Sequence, residues 1–446
     1  MIIKLLGANA FAKFLTAFFT VFFAIFSLRG GINEEPPATP TDFTPVLRFA
    51  VCSDVHLDGD ENQTEAKEFR ELFTQCYEYS EKSETYNGLD AVMVCGDMTE
   101  WGREIEYQSF ERIVSESLKD GTELLTCMGN HEFIEERETG AVDAIANYKK
   151  YVNEETDTHK VINGYHFIGI SYADKNESFG DKEDWLREQL DIAVADTGDK
   201  PIFVYQHPHP TLSVYGSINW SSPKIRLILN DYKQVVNFSG HSHYAPNDPR
   251  SIWQGKFTAI GTGAITGLIG NVNYLTGGSS STIPSGSYTV VEVDAEGNIR
   301  LQIFDALNDV FFEGCDFYLE GVHNSKNHLY TWGNMKSLDT KPAFPENAEI
   351  TSETNEKGET LISFPDAKGR FDAVSYNVTV RNADGDAVFA SSELSGYVTS
   401  VDDGISVNLG ILEEGQYSVR VRPVSPYTKI GKVLKGNFEV LSEAKK

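Results

Sequence analysis

Five short clusters of aspartate, asparagine and histidine punctuate this chain, and each follows directly on an apolar, strand-like run. They are Asp54-Val55-His56, Gly96-Asp97, Gly129-Asn130-His131-Glu132, Gln206-His207-Pro208-His209 and Gly240-His241-Ser242-His243. In open α/β sheets the carboxyl ends of the strands are where ligand-binding loops converge. Five polar clusters at five strand ends therefore demand a fold that brings those ends together.

The intervening sequence supplies such a fold. Strand-like runs at 46–53, 89–95, 123–127, 165–172, 201–205 and 234–238 alternate with helix-like runs at 63–82, 104–118, 142–152, 182–195 and 224–229. Such alternation predicts an α/β domain with helices covering its sheets. From Ser251 onward the pattern predicts strands without helices. Residues 287–304 read as a hairpin turning through Asp294-Ala295-Glu296-Gly297-Asn298, and the Gly/Ser-rich stretch 261–286 as a long loop. Beyond Pro342 to Pro345 come the runs ETLISF, SYNVTV, ISVNLG, QYSVRVRPV and GNFEVL, separated by turn-rich gaps. These predict a small β-sandwich over 345–443.

At the N-terminus, Lys4 and Lys13 precede the apolar run FLTAFFTVFFAIFSL. It is short for a spanning helix and suits the core of a signal peptide or an uncleaved signal anchor over 1–30. The Pro-rich, acidic segment 31–45 reads as a linker. Both readings place the remaining chain outside the cytoplasm, secreted or tethered to a membrane.

The residue types at the strand ends suit metal chemistry. Carboxylate, imidazole and amide oxygen together favour Mn, Fe, Zn and similar ions. Two such ions can activate a water and neutralise charge on a phosphate. A carboxylate must bridge them, and Asp97 is the candidate. Glycines beside Asp97, Asn130 and His241 would let the backbone turn sharply enough for the next side chain to reach inward. His209 lies two residues beyond His207 and is a competing ligand; the strand-end position favours His207. The five cysteines are odd in number and form no CxxC pair, which excludes a disulfide framework and a zinc-finger pattern. They read as small buried residues.

The order D-x-H, G-D, G-N-H-E, H and G-H-x-H resembles the calcineurin-like metallophosphoesterases over roughly residues 46–330, which implies a catalytic domain over 46–335. The resemblance implies a four-layer α/β/β/α sandwich. It implies that Asp54, His56 and His243 hold a first metal, that Asp97 bridges, and that Asn130, His207 and His241 complete the second. His131 would contact the phosphate and protonate the leaving oxygen, with a hydroxide between the metals attacking in line. Purple acid phosphatases carry a tyrosine in G-D-x-x-Y and lack the first-motif histidine. Here those positions hold Glu100 and His56, so the resemblance leans toward phosphodiesterase-like members. The C-terminal region resembles a fibronectin type III-like module. Phe364 is its early core aromatic, residues 376–380 its central strand, and Leu412 and Tyr417 its tyrosine corner.

The expected activity is therefore hydrolysis of a phosphate mono- or diester on a small molecule or a surface. The alternative is a non-catalytic surface-binding protein on the same fold, with glycan or protein contacts made by the C-terminal module. With 66 acidic against 38 basic residues and a formal charge of -28, non-specific grip on nucleic acid is excluded as a main role. Tyr215 and Trp220, in TLSVYGSINWSS, are candidates for stacking on an aromatic part of the substrate.

Overall fold

A computed structural model describes residues 33–270, 281–395 and 404–441. The expected signal segment lies outside these residues. Among the described residues, no helix is long and apolar enough to cross a membrane.

Two six-stranded sheets form the centre of the molecule. The first contains β1 (Pro45–Cys52), β2 (Ala91–Cys95) and β3 (Glu123–Cys127), and it is joined by the later strands β10 (Ser287–Asp294), β11 (Ile299–Asp305) and β12 (Val310–Leu319), in the order β12-β11-β10-β1-β2-β3. The second contains β4 (Thr158–Ile162), β5 (Tyr165–Gly169), β6 (Ile202–Tyr205), β7 (Val235–Ser239), β8 (Ile252–Gln254) and β9 (Thr258–Gly261), in the order β8-β9-β7-β6-β5-β4. Strands β1, β2 and β3 are parallel, as are β5, β6, β7 and β9. Their carboxyl ends therefore point the same way within each sheet, and all five polar clusters sit on those ends.

The apolar runs read as continuous because both faces of each strand are covered. In β1, Leu47, Phe49 and Val51 face the second sheet, while Ala50 and Cys52 face helices. The Phe49 ring lies 5.1 Å from Phe167, 4.9 Å from Phe203 and 5.8 Å from Phe238, which locks the two sheets face to face. Outside the first sheet lie α1 (Thr64–Glu81), α2 (Glu104–Ser117) and α3 (Ala144–Tyr151). In α1 the buried residues Ala66, Phe69, Leu72, Phe73, Cys76 and Tyr77 recur three and four apart, so one stripe faces the sheet. Helices α4 (Lys182–Thr197) and α5 (Pro223–Leu229) cover the second sheet. Helix α5 starts where the Ser222 side chain accepts from the Ile225 N–H, with Pro223 in the first turn. The result is a mixed α/β sandwich of four layers.

The C-terminal region is all β. A three-stranded sheet (Thr351–Thr354, Thr360–Pro365, Gly404–Asn408) faces a four-stranded one (Ala387–Leu394, Ser375–Arg381, Gly415–Val424, Leu434–Val440). Ile362, Phe364, Tyr376, Val378, Val380, Val407 and Val419 share the core between them.

The structure corrects the expectation of strands without helices after Ser251: α6 (Trp332–Leu338) is a helix. The run WGNMKSL is short and carries Gly333, so its periodicity is weak. Its start is fixed by a cap, the Thr331 side chain accepting from the Asn334 N–H. The stretch 261–286 is also more than a loop, since Leu268–Gly270 pairs antiparallel with Ser281–Ile283.

Candidate metal centre

All five cysteines are buried and unpaired. The polar residues beyond them are what the strand ends display. Asp54 and His56 follow β1, Asp97 follows β2, and Asn130 and His131 follow β3. His207 follows β6, and His241 and His243 follow β7. Ligating atoms of Asp54, His56 and His243 lie within 4.8 Å of one another, as do those of Asp97, His207 and His241, and those of His56, Asp97 and His131. Residues separated by up to 189 positions thus share one pocket because two sheets face each other (243 − 54 = 189).

The backbone does part of this work in an unexpected way. Asp54, His56, Asp97, His241 and His243 all adopt positive φ, between 52° and 72°. Non-glycine residues rarely do so, and each costs on the order of 1–3 kcal/mol unless the surroundings hold it. The sharp turns were expected from glycine. Only Gly96 takes that role, with φ +84. Gly129 and Gly240 instead permit close approach: a Cβ on Gly129 would lie 2.1 Å from Asp97 Oδ1, and one on Gly240 2.3 Å from Ser53 Oγ.

Hydrogen bonds orient three of the candidate histidines. His207 Nδ1 donates to the Cys95 carbonyl at 2.9 Å, which leaves Nε2 aimed at Asp97 Oδ2, also 2.9 Å away. His243 Nδ1 donates to the Gly267 carbonyl at 3.2 Å, and its Nε2 lies 3.1 Å from Asp54 Oδ1. His241 Nδ1 sits 3.0 Å from His207 Nε2. Its backbone N–H donates to Asp54 Oδ2 at 3.0 Å.

Two glutamates complete the frame, and neither was assigned a role from sequence. Glu132 is buried; it accepts from the backbone N–H groups of Asp97 (3.0 Å), Thr99 (3.0 Å) and Gly129 (2.6 Å). It thereby ties the second and third motifs into one unit. Burial, reinforced by the Asp97 charge, pushes its carboxyl up to about 7. Glu100 lies 2.8 Å from His56 Nδ1 and so turns His56 Nε2 toward Asp54 and Asp97. Its position after Gly-Asp was noted only for lacking a tyrosine. Its distance from His56 is a tertiary fact that spacing did not signal.

The electrostatics show two buried anions surrounded by imidazoles. Burial opposes charge on Asp54, but His243 and His207 hold it well below the usual carboxylate range. Asp97 is lowered likewise, against its burial, by His207 and His131. Burial would lower His56, yet Asp54 and Glu100 push it up to about 10; Asp97 and Asp54 push the buried His207 up to about 9. Cationic charge is wanted here.

Of the buried side-chain atoms without a hydrogen-bond partner among the described residues, two belong to this pocket: Asn130 Oδ1 and His56 Nε2. A buried amide oxygen left unpaired costs roughly 1–3 kcal/mol, so such atoms point to an occupant. Both are in the expected ligand set. The mixed N/O donors, the two buried carboxylates and these two unpaired atoms fit a pair of metal ions of the Mn, Fe or Zn class.

Two other histidines separate cleanly. Both ring nitrogens of buried His209 are engaged at 2.8 Å, by Ser239 Oγ and Ser242 Oγ. Burial, then His241, drives it down to about 3, which keeps it neutral. His131 donates from Nδ1 to the Glu100 carbonyl at 2.9 Å, while its N–H bonds Asp97 Oδ1 at 2.9 Å. Its side chain is 25% exposed, whereas Asp54 and His207 are fully enclosed.

Residues 47–245 match the family model described as calcineurin-like phosphoesterase. Among solved structures, the purple acid phosphatase from yellow lupin (Lupinus luteus) seeds is similar at 13% identity and a TM-score of 0.43. That likeness covers 63% of this chain and 55% of that one, so the chain spans little more than half its length. No curated protein matches the chain.

Proposed function

We propose that this chain hydrolyses phosphate esters with two bound metal ions. The observation that carries the reading is the convergence of Asp54, Asp97, His56, His207, His241 and His243, together with the unpartnered Asn130 Oδ1 and His56 Nε2, from five strand ends. Asp54, His56 and His243 would hold one ion and Asn130, His207 and His241 the other, with Asp97 available to both. When bound, the ions supply an activated water and a countercharge for the phosphate. The protein's own groups position the reactants. Glu100 fixes the His56 ring, the Cys95 carbonyl fixes His207, and the Gly267 carbonyl fixes His243. His131 is held through Nδ1 by the Glu100 carbonyl, so Nε2 is free to meet the phosphate and give a proton to the leaving oxygen.

The calcineurin-like domain supports hydrolysis of phosphoesters, and the pairing of Glu100 with His56 favours a phosphodiesterase-like site over a tyrosinate centre. The apolar run before the linker supports an extracellular or membrane-tethered location. The C-terminal region reads as a fibronectin type III-like module: its two-sheet strand order and the Tyr417 hydroxyl bonded to the Glu413 carbonyl at 2.8 Å suit that fold. We assign it a spacing role or a contact with glycan or protein.

Metal analysis of the purified full-length chain, with turnover of a nitrophenyl phosphodiester in Mn, tests this reading. About two ions per chain with turnover is expected. Asp97→Asn and His131→Ala should lose nearly all activity and keep the native circular dichroism. Absence of metal and turnover would instead indicate a binding protein on this fold.

A further inference from the structure

Sequence pattern left Tyr215 and Trp220 as equal candidates for stacking on a substrate, and the structure separates them. The Tyr215 ring is stacked on Tyr244 (centroids 4.0 Å apart, 26° between planes) and lies under the Arg250 guanidinium at 3.8 Å. Arg250 is itself clamped by Asp248, with Nε 2.9 Å from Oδ1 and 3.1 Å from Oδ2. Tyr215 is thus a buttress. Trp220 is different. Like Tyr215 it is partly exposed, but among the described residues neither a stacked ring nor a guanidinium is found over its indole, and it stands at a steep angle to the candidate ligand His241, with centroids 6.4 Å apart at 84°. Tyr244 supports it, at 5.7 Å and 77°.

The loop that carries Trp220 is held firmly. The Trp220 carbonyl accepts from the His209 N–H at 3.2 Å, and its own N–H donates to the Gly216 carbonyl at 3.3 Å. Residues His209–Pro210 pair with Ser221–Ser222 on either side. Gly216 meets Ser242 so closely that an added Cβ would lie 2.6 Å from the Ser242 Cβ, so this loop sits directly on the fifth motif. A partly exposed indole beside the candidate metal centre, on a braced rather than a loose loop, is a preformed wall for a flat apolar group.

We propose that Trp220 is a specificity-determining residue, and that the preferred substrate is a phosphoester whose alcohol portion carries a planar aromatic ring that packs on Trp220 while the phosphate lies at the metal centre. This rests on the hydrolytic reading above. The ring makes no covalent contact, so Trp220 acts on binding and alignment and leaves the bond-breaking step unchanged.

The test compares two phosphodiesters that share the reacting group, the Mn-loaded full-length chain acting on a nucleoside phosphodiester (thymidine monophosphate nitrophenyl ester) and on the alkyl diester glycerophosphocholine. Trp220→Ala should raise KM for the aromatic diester about tenfold, in the range that loss of one base–aromatic stack produces, with kcat within about twofold and the alkyl diester unaffected. Trp220→Phe should restore most of the loss. As a readout apart from turnover, thymidine monophosphate should quench tryptophan fluorescence in the wild type and less in Trp220→Phe. If Trp220→Ala changes both diesters equally, or neither, or if quenching is the same in both proteins, Trp220 is a packing residue and the proposal falls. If the wild-type chain turns over neither diester, it is the hydrolytic reading that fails.

Discussion

Asp54, His56, Asp97, His241 and His243 hold left-handed backbone conformations that their side chains ordinarily avoid. Backbone hydrogen bonds hold three of them in place: Asp54 N–H to the Gly96 carbonyl, His56 N–H to the Asp97 carbonyl, His241 N–H to the Asp54 carboxylate. Around them, Glu100 is the residue whose contribution is most separable. Because Glu100 contacts His56 rather than an ion, Glu100→Gln should weaken metal affinity about 10- to 100-fold, as loss of such an orienting partner typically does. Mn titration by calorimetry measures this, and an unchanged affinity would remove Glu100 from the site's framework. A second residue-scale effect lies away from the metals. Burial, with Glu65 and Asp305 adding to it, raises buried Glu68 from an ordinary 4.5 to about 8. The folded state then holds a proton that the unfolded chain releases near 4.5, so this group's contribution declines as pH rises from about 4.5 to about 8. Glu68→Gln should therefore raise Tm at pH 8.5 and leave it nearly unchanged at pH 4. A larger gain at pH 4 would reverse the sign and refute the assignment.

At the scale of elements, the parallel strands are what place the chemistry. β1, β2 and β3 in one sheet and β6 and β7 in the other end at the same rim, and the Phe49–Phe167–Phe203–Phe238 cluster sets the distance between the sheets. Phe49→Ala should cost about 3–5 kcal/mol of stability, the usual range for deleting a buried aromatic, measured by denaturant unfolding. A cost under about 1 kcal/mol would mean the sheets can collapse onto the gap. The elements least legible in sequence are those without a two-sided apolar cover. β4, THKVI, is an edge strand whose residues are partly exposed, and Thr351–Thr354 is exposed along its whole length. Neither carries a run or an alternation strong enough to register, and pairing with a neighbour decides them.

For the whole molecule, the C-terminal sheets are joined to the α/β sandwich by specific contacts as well as by the chain. Tyr427 is buried in the cluster that contains Tyr330 and Met335, with its ring 5.1 Å from Trp332 and 5.6 Å from Phe371. Ser425 Oγ donates to Asp339 Oδ2 at 2.5 Å, and Lys429 Nζ donates to the Asp339 carbonyl. Metal binding should also act on the molecule as a whole. Ions that bind only the folded site stabilise it by about 2.7 kcal/mol at a hundredfold excess over Kd. Stripping with a chelator should lower Tm by several degrees, readdition of Mn should restore it, and Asp97→Asn should abolish the difference.

What the sequence determined by itself was the α/β alternation, the all-β C-terminal region and the set of polar residues at the strand ends. These are local properties: apolar runs, turn residues and side-chain chemistry are written into neighbouring positions. Only the tertiary structure decided that His209 spends both nitrogens on Ser239 and Ser242, that Glu132 ties two motifs together, that Glu100 orients His56, and that Trp220 rather than Tyr215 stands against His241. Each of these depends on a distance between atoms far apart in the chain, and such distances exist only once the two sheets have packed.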